Sequence, residues 1–528
     1  MATATKIPLQ PEVLSKPPAL TREFHQRLNS ISRQSLVYFA GTMLTTAAGY
    51  FFKIYLARTL GAEKLGLYAL GMTLVGFVGL FNTLGLPTAA ARFVSSYFAR
   101  KDFVRLGIFL RTSIAFLASG NLILAAGFVL VGPWMVIHLY HVPNLAPLIW
   151  PFALIMFFGV LNTFLGQVMA GYQDVTRRTL ITHFLGSPAN ILLAVMLISA
   201  GFGLGGYLAA QVASAFLVTA LLATSVWKMT PQVARKPGPW HMEREVVAFS
   251  SAAFAVTGVE FVLAQADKIV LGVYLDVREV GIYAVAMALV GFVPVVLQSV
   301  NQIFSPAISE LYASEHKFLL QRLYSTLTKW ILVLTIPLVL TLLMFSNSLM
   351  DIFGSDFRAG STVLAIGAIG QLLNCAVGSV GYLLLMSGHQ TMLVRIQAGS
   401  ALLMVMLMLF LVPRYGLAGA AIGTAAGVAI TNAWSLLAVR RMLGMVPYTA
   451  SYLKLIIPTL GAGIGLLMLA RVCAGLFSNW EILTIALLTS YLLFSAAFLA
   501  TGLDSEDRVF LRSAWDKLHM RQNVWSYE

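Results

Sequence analysis

Residues 53–78 read KIYLARTLGAEKLGLYALGMTLVGFV, and residues 268–293 read KIVLGVYLDVREVGIYAVAMALVGFV. An offset of 215 aligns the two without a gap, and thirteen of the 26 positions are identical. Apolar helices draw on few residue types, so Leu and Val coincide easily. Lys53 with Lys268, Gly66 with Gly281, Tyr68 with Tyr283 and Met72 with Met287 do not. The stretch is therefore an internal repeat. Echoes continue at Tyr97 with Tyr312, at Phe103 with Phe318, and at Gly203–Gly206 with Gly416–Gly419.

Both copies lie in long apolar runs. Hydrophobic residues make up 59% of the 528 positions and charged residues 11%, against about 25% charged in soluble chains. A membrane-crossing helix needs roughly 20 apolar residues. Runs of that kind fall near 36–57, 65–95, 106–131, 147–171, 179–200 and 204–227. Others follow near 246–274, 280–306, 326–346, 360–387, 391–412, 417–439, 451–472 and 480–502. Long runs without a two-residue alternation exclude a β-barrel. The expected fold is an all-α polytopic membrane protein of about fourteen helices, with two parallel six-helix lobes and two C-terminal helices.

The lobes are expected at 36–228 and 246–441, with a Pro-bearing linker at 229–245 and the last two helices in 442–502. Residues 1–35 form an N-terminal segment in which Phe24, Leu28 and Ile31 suggest a short interfacial helix. Residues 503–528 end the chain with an amphipathic stretch through Leu511, Ala514, Trp515 and Leu518. With the N-terminus in the cytoplasm, 24 basic residues fall on the inner side. Only Arg58, Lys64, Arg278, Arg358, Arg414 and Arg471 fall outside. That bias matches the positive-inside rule and predicts two cytoplasmic termini in a plasma (inner) membrane. The net charge of +14 is then accounted for by basic loops, and no nucleic-acid partner is expected.

Charges inside spans are costly and need a reason. Lys53, Arg92 and Arg111 are candidates for a basic cavity. Glu260 and Asp267 stand seven residues apart on one helix face, about 10 Å along the axis, and are candidates for ion coupling. The alternative for Glu260 is a salt bridge to a base such as Lys53, and for Asp267 a local pairing with Lys268. Asn82, Gln298, Asn301 and Gln302 add amides that either glue helices or line a hydrated cavity. Pro87, Pro294 and Pro306 mark places where helices can bend. No Walker A motif, His/Cys cluster or nucleophile elbow is present, and the outer connectors are too short for a catalytic domain. The chain is expected to be a carrier, not an enzyme, with no cofactor and no metal.

The stretch 56–93, the segment ADKIVLGVYLDVREVGIYAVA at 266–286, SPAISELY at 305–312 and RYGLAGAAIGT at 414–424 resemble Wzx-type polysaccharide flippases. These belong to the MOP superfamily with the MATE exporters and MurJ. The resemblance implies alternating access around a central cavity and a lipid-linked oligosaccharide substrate on undecaprenyl diphosphate. It implies membrane lipids and a polysaccharide polymerase as partners. It also makes Arg58 and Arg92 the family's basic positions; Lys53 joins them by depth and repeat symmetry. A diphosphate leaving water needs such compensation. A MATE-like exporter of small molecules, a lipid II flippase, a glycan-assembly enzyme and a non-transporting scaffold are the competing readings.

Overall fold

A computed structural model describes residues 19–236, 239–472, 478–502, 504 and 507–508; side chains are described from Thr45 onward, apart from Thr46 and Ala47. The first half contains α1 (Ala19–Thr83), α2 (Leu86–Ala99), α3 (Phe103–His138), α4 (Ile149–Gly171), α5 (Val175–Thr179), α6 (Ser187–Leu197), α7 (Gly203–Met229) and α8 (Gln232–Arg235). The second contains α9 (Arg244–Tyr274), α10 (Val277–Val290), α11 (Val295–Ala313), α12 (Lys317–Met344), α13 (Ser346–Asp351), α14 (Ser361–Val377), α15 (Val380–Met386) and α16 (Gln390–Leu443). Helices α17 (Ile456–Val472) and α18 (Asn479–Ala500) follow. No strand occurs among the described residues.

Ten of the described segments are long and apolar enough to cross a membrane, or eleven when the bent pair α10–α11 counts as one. Three of them contain a reversal. In α16 it falls at Gly416, with φ of 55°. A Cβ on Gly423 would stand 2.6 Å from Met408, and one on Gly427 2.7 Å from Met404, so the two arms run antiparallel in close contact. The stretch 175–229 turns at Gly201 and Gly203, both with positive φ, and α1 at Gly61 with φ of 77°. Only glycine takes such angles without strain, which is why the runs end there. The expected gap between 57 and 65 is thus a single-residue turn, and α1 is helical from Ala19 without a break before Gly61. The amphipathic stretch at 511–518 lies outside the described residues.

These turns define two ends of the bundle. The distal end carries Gly61, Tyr140–Pro143, Gly201, Leu275–Asp276 and Gly416. The proximal end carries residues 231–236 and 239–243, together with Asp504 and Asp507. At the distal end one buried core crosses both halves, joining Leu56, Phe152 and Met156 to Leu271, Tyr283 and Met408. Toward the proximal end the core divides. One cluster is built on Phe164, Leu222 and their first-half neighbours, others on second-half residues such as Ile331, Phe494, Tyr324 and Leu384.

The α10–α11 pair bends by 49° around Gly291–Pro294, where proline removes a backbone donor. The matching break in the first half falls at Leu84–Gly85, just before Pro87 at the start of α2. The 49° bend was legible from Pro294, whereas the first-half break rests on positive φ at Leu84 and Gly85. Pro306, by contrast, is accommodated inside α11.

Candidate functional site

The repeated hairpins meet each other across the molecule. A Cβ on Gly66 would collide with the carbonyl of Val277, and one on Gly281 with the carbonyl of Ala62. Val277 is the repeat counterpart of Ala62, as Gly281 is of Gly66. The contact is therefore made twice, once on each side of a pseudo-two-fold axis. Small residues let helix backbones approach this closely where lipid offers no hydrophobic drive for association. The result is a sealed distal end.

Below that seal stand Lys53 and Lys268, the two repeat-related lysines. Each lies eight residues before a distal turn, Lys53 before Gly61 and Lys268 before Asp276. Lys53 lies 4.9 Å over the ring of Tyr50, whose hydroxyl donates to the Ala288 carbonyl at 3.0 Å. The Lys268 ammonium donates to Gln265 at 2.7 Å. Lys53 is exposed and Lys268 half-buried. Among the described residues neither forms an ion pair with a carboxylate. Two cations without a carboxylate partner among the described residues are the kind of groups a dianion pairs with.

The remaining basic candidates lie elsewhere. Arg58 is at the distal end, its Nε donating to the Ile352 carbonyl at 2.8 Å. Arg92 is at the proximal end, 3.5 Å from Glu245 and 4.6 Å over the ring of Phe249. Arg111 donates to the carbonyl of Lys236. These arginines bridge segments, and the structure does not bring them to Lys53. The amides divide. Asn82 and Asn301 are buried, and each has an amide atom without a partner among the described residues, Nδ2 and Oδ1 respectively. Gln298 and Gln302 are exposed on α11.

Neither salt-bridge alternative for the acids is formed. Glu260 is exposed and makes no ion pair with Lys53 among the described residues. Asp267 is buried and forms no ion pair with the Lys268 ammonium among the described residues. It accepts from the Tyr283 hydroxyl at 3.0 Å and from the Lys268 backbone N–H at 2.7 Å. Tyr283 also meets Thr424 Oγ1 at 3.0 Å. The first half carries a neutral version of this network: Gln211 donates to both Tyr68 and Tyr207 at 2.8 Å. There the repeat counterpart of Asp267 is Phe52, whose ring packs 5.8 Å from that of Tyr207. One half has a buried acid where the other has a phenyl ring.

A seam joins the halves below the seal. Phe261 of α9 abuts Gly76, where a Cβ would stand 2.9 Å away, and stacks near Phe77 at 6.2 Å. Phe254 meets Phe81 at 6.2 Å and Phe249 meets Phe93 at 5.9 Å. At the proximal end the Tyr97 hydroxyl donates to Glu243 at 3.0 Å, and Arg105 lies 3.6 Å from the same carboxylate. Sequence reading missed Lys268 as a cavity residue, because its neighbour Asp267 offered a simpler pairing. The signal was present: the 215 offset that maps Lys53 maps it onto Lys268.

The family model for polysaccharide biosynthesis proteins matches residues 55–359. The probable low-salt glycan biosynthesis flippase Agl15 of Haloferax volcanii is 21% identical over 418 residues, 76% of this chain and 82% of that one. The fold is similar to that of the lipid II flippase MurJ in an inward closed conformation. The TM-score there is 0.67 at 15% identity, covering 88% of this chain and 98% of MurJ. It is also similar to an inward-facing multidrug MATE transporter, with a TM-score of 0.61 at 16% identity over 78% of this chain and 98% of that one. Matched by the family model over more than half its length, and carrying ten described segments long and apolar enough to cross a membrane, the chain is a multi-pass member of the polysaccharide biosynthesis protein family.

Proposed function

We propose that this protein flips an undecaprenyl-diphosphate-linked oligosaccharide from the cytoplasmic to the outer leaflet of the inner membrane. The observation that carries the reading is the repeat-related pair Lys53 and Lys268, at matching depth below the distal contact of Gly66 and Gly281 and without a carboxylate partner among the described residues. A diphosphate loses its hydration when it enters a cavity, and two ammonium groups replace part of it. On this reading the distal end faces outward and both termini face the cytoplasm. The three reversing segments count twice, which makes fourteen spans. Residues 36–228 and 246–441 act as lobes about the linker 229–245, and residues 442–502 add two helices. Transfer would then require the distal contact to open, with a polysaccharide polymerase taking the product.

The buried carboxyl of Asp267 supports coupling to a proton or cation gradient, because the repeat would otherwise leave the two halves alike. Glu260, two turns nearer the proximal end and without a partner among the described residues, is the second candidate. Asp267 also favours the alternative of a MATE-like, ion-coupled exporter of small molecules.

The test is leaflet transfer of a fluorescent undecaprenyl-diphosphate glycan in proteoliposomes. Lys53→Gln with Lys268→Gln should lower transfer at least tenfold, and Lys53→Arg with Lys268→Arg should largely retain it. Transfer by the double Gln variant at the wild-type rate removes the basic pair from the mechanism. Export of small cations without glycolipid transfer would favour the alternative.

A further inference from the structure

The repeat exposes an asymmetry at the distal end. In the first half, Arg58 reaches from the Gly61 turn to the Ile352 carbonyl and fills the space beside it. Its counterpart in the second half is Val273, which reaches nothing comparable and is 38% exposed. Beside Val273 lies a cavity of about 280 Å³. Its walls are the loop Tyr140–Asn144 of the first half and the turn Val273–Val277 of the second.

The lining has a definite chemistry. Tyr140 packs its ring onto Gly272, where a Cβ would stand 2.7 Å away, and Tyr274 is exposed on the other wall. His141, Asn144 and Asp276 contribute polar groups, and their side chains make no hydrogen bond among the described residues. Asp276 sits at the N-cap of α10 without capping it, although aspartate there commonly does. His141 holds φ of 54° as the left-handed residue of the cap that ends α3, where the Val142 N–H donates back to the Val136 carbonyl at 2.9 Å. No lysine or arginine lines the cavity. Arg278, the nearest in sequence, is turned to Asp356 at 2.9 Å.

We propose that this cleft binds one neutral glycosyl residue, a hexose or N-acetylhexosamine, at the distal face. Sugar hydroxyls donate to a carboxylate and exchange hydrogen bonds with amide and imidazole groups, while the C–H face of the ring lies on an aromatic side chain. A phosphate or uronate would meet Asp276 with no compensating cation. The volume is at the small end for ligand pockets, below the ~300–1,000 Å³ typical of drug-sized molecules, so it takes one ring and leaves the rest of a glycan outside. Because each wall comes from a different half, the site is complete only while Gly66 and Gly281 are seated. A bound sugar therefore favours the distally closed state. This site is separate from Lys53 and Lys268 and does not depend on their role in transfer.

Saturation-transfer NMR on the full chain in lipid nanodiscs tests it, with glucose, galactose, N-acetylglucosamine and glucose 6-phosphate as probes. At least one neutral sugar should show transfer, and glucose 6-phosphate none. Val273→Arg, which installs the arginine of the other half, should abolish the signal, and Asp276→Asn should weaken it at least fivefold. The Lys53→Gln, Lys268→Gln protein should bind sugar normally while failing in lipid transfer, which keeps this inference distinguishable from the flippase reading. Any one of three results overturns it: no signal from any neutral sugar, an unchanged signal in Asp276→Asn and in folded Val273→Arg, or loss of the signal in the double lysine variant.

Discussion

Gly66 lies directly against the main-chain carbonyl of Val277, so closely that no other residue fits at this position without moving one helix. The reciprocal contact of Gly281 on Ala62 makes the distal closure a paired backbone contact. A valine at either site would force the two hairpins apart.

Gly66→Val and Gly281→Val should therefore each shift the population toward a distally open state. A cysteine placed at Lys53 in a background without Cys375 and Cys473 reports this through labelling by a membrane-impermeant maleimide applied from outside. Labelling should rise at least fivefold in either glycine variant. Equal labelling in all three proteins would show that this contact does not hold the closure.

The repeat made the fold legible, because an offset of 215 paired glycines and lysines that later proved to face each other. The turns at Gly61 and Gly416 were legible as well, since the apolar runs break at 57–65 and 412–417 around them. What the runs did not reveal is that positive φ at a single glycine ends each arm. The site was half legible. Charge in an apolar run pointed to Lys53 by its cost in lipid, but the same logic drew in Arg58, Arg92 and Arg111. Their partners are carbonyls and a carboxylate distant in sequence, and no local pattern reveals those. The role of Tyr283 was hidden for the same reason, since its hydroxyl meets Thr424 on a helix 141 residues away.

Arg58 and Arg92 close opposite ends, so their removal should have opposite signatures. Arg58→Ala loses a hydrogen bond to Ile352 at the distal end, and Arg92→Ala loses a cation–π and ion-pair contact at the proximal end. Each exposed contact is worth at most about 1 kcal/mol, so melting temperatures should barely move. In the Lys53 cysteine reporter, outside labelling should rise in Arg58→Ala and fall in Arg92→Ala. A change of the same sign in both would separate these arginines from the closures.

Tyr283→Phe tests the buried network without altering shape. It leaves Asp267 with one donor fewer in a buried setting, a loss of about 1–3 kcal/mol, and the melting temperature should fall measurably. Phe at the matching first-half position, Tyr68→Phe, removes a bond to Gln211 that serves no carboxylate. Its effect on transfer driven by an imposed proton or sodium gradient should be small beside that of Tyr283→Phe. Equal effects on gradient-driven transfer would remove the argument that Asp267 distinguishes the halves.

At the proximal end Lys329 is buried between Asp504 and Asp507, with Nζ 2.8 and 2.6 Å from their carboxylates. Lys454 reaches Asp504 at 2.6 Å. Hydrogen bonds from Lys329 and then Lys454 hold the Asp504 carboxyl well below the usual carboxylate range. A depressed folded pKa stabilises the protein above the unfolded value, about 3.9 for aspartate, and the contribution is lost as pH falls below it. The attachment of the segment after α18 should thus be pH-insensitive at neutrality and weaken below about pH 4. Lys329→Ala leaves Asp507, which is 1% exposed, as an uncompensated buried charge and should cost about 3–5 kcal/mol. Lys329→Met with Asp504→Asn and Asp507→Asn removes the charges together and should recover much of that loss. Thermal unfolding of the purified protein between pH 3 and 8 checks both. A triple variant no more stable than Lys329→Ala would show that the cluster acts through packing and not charge.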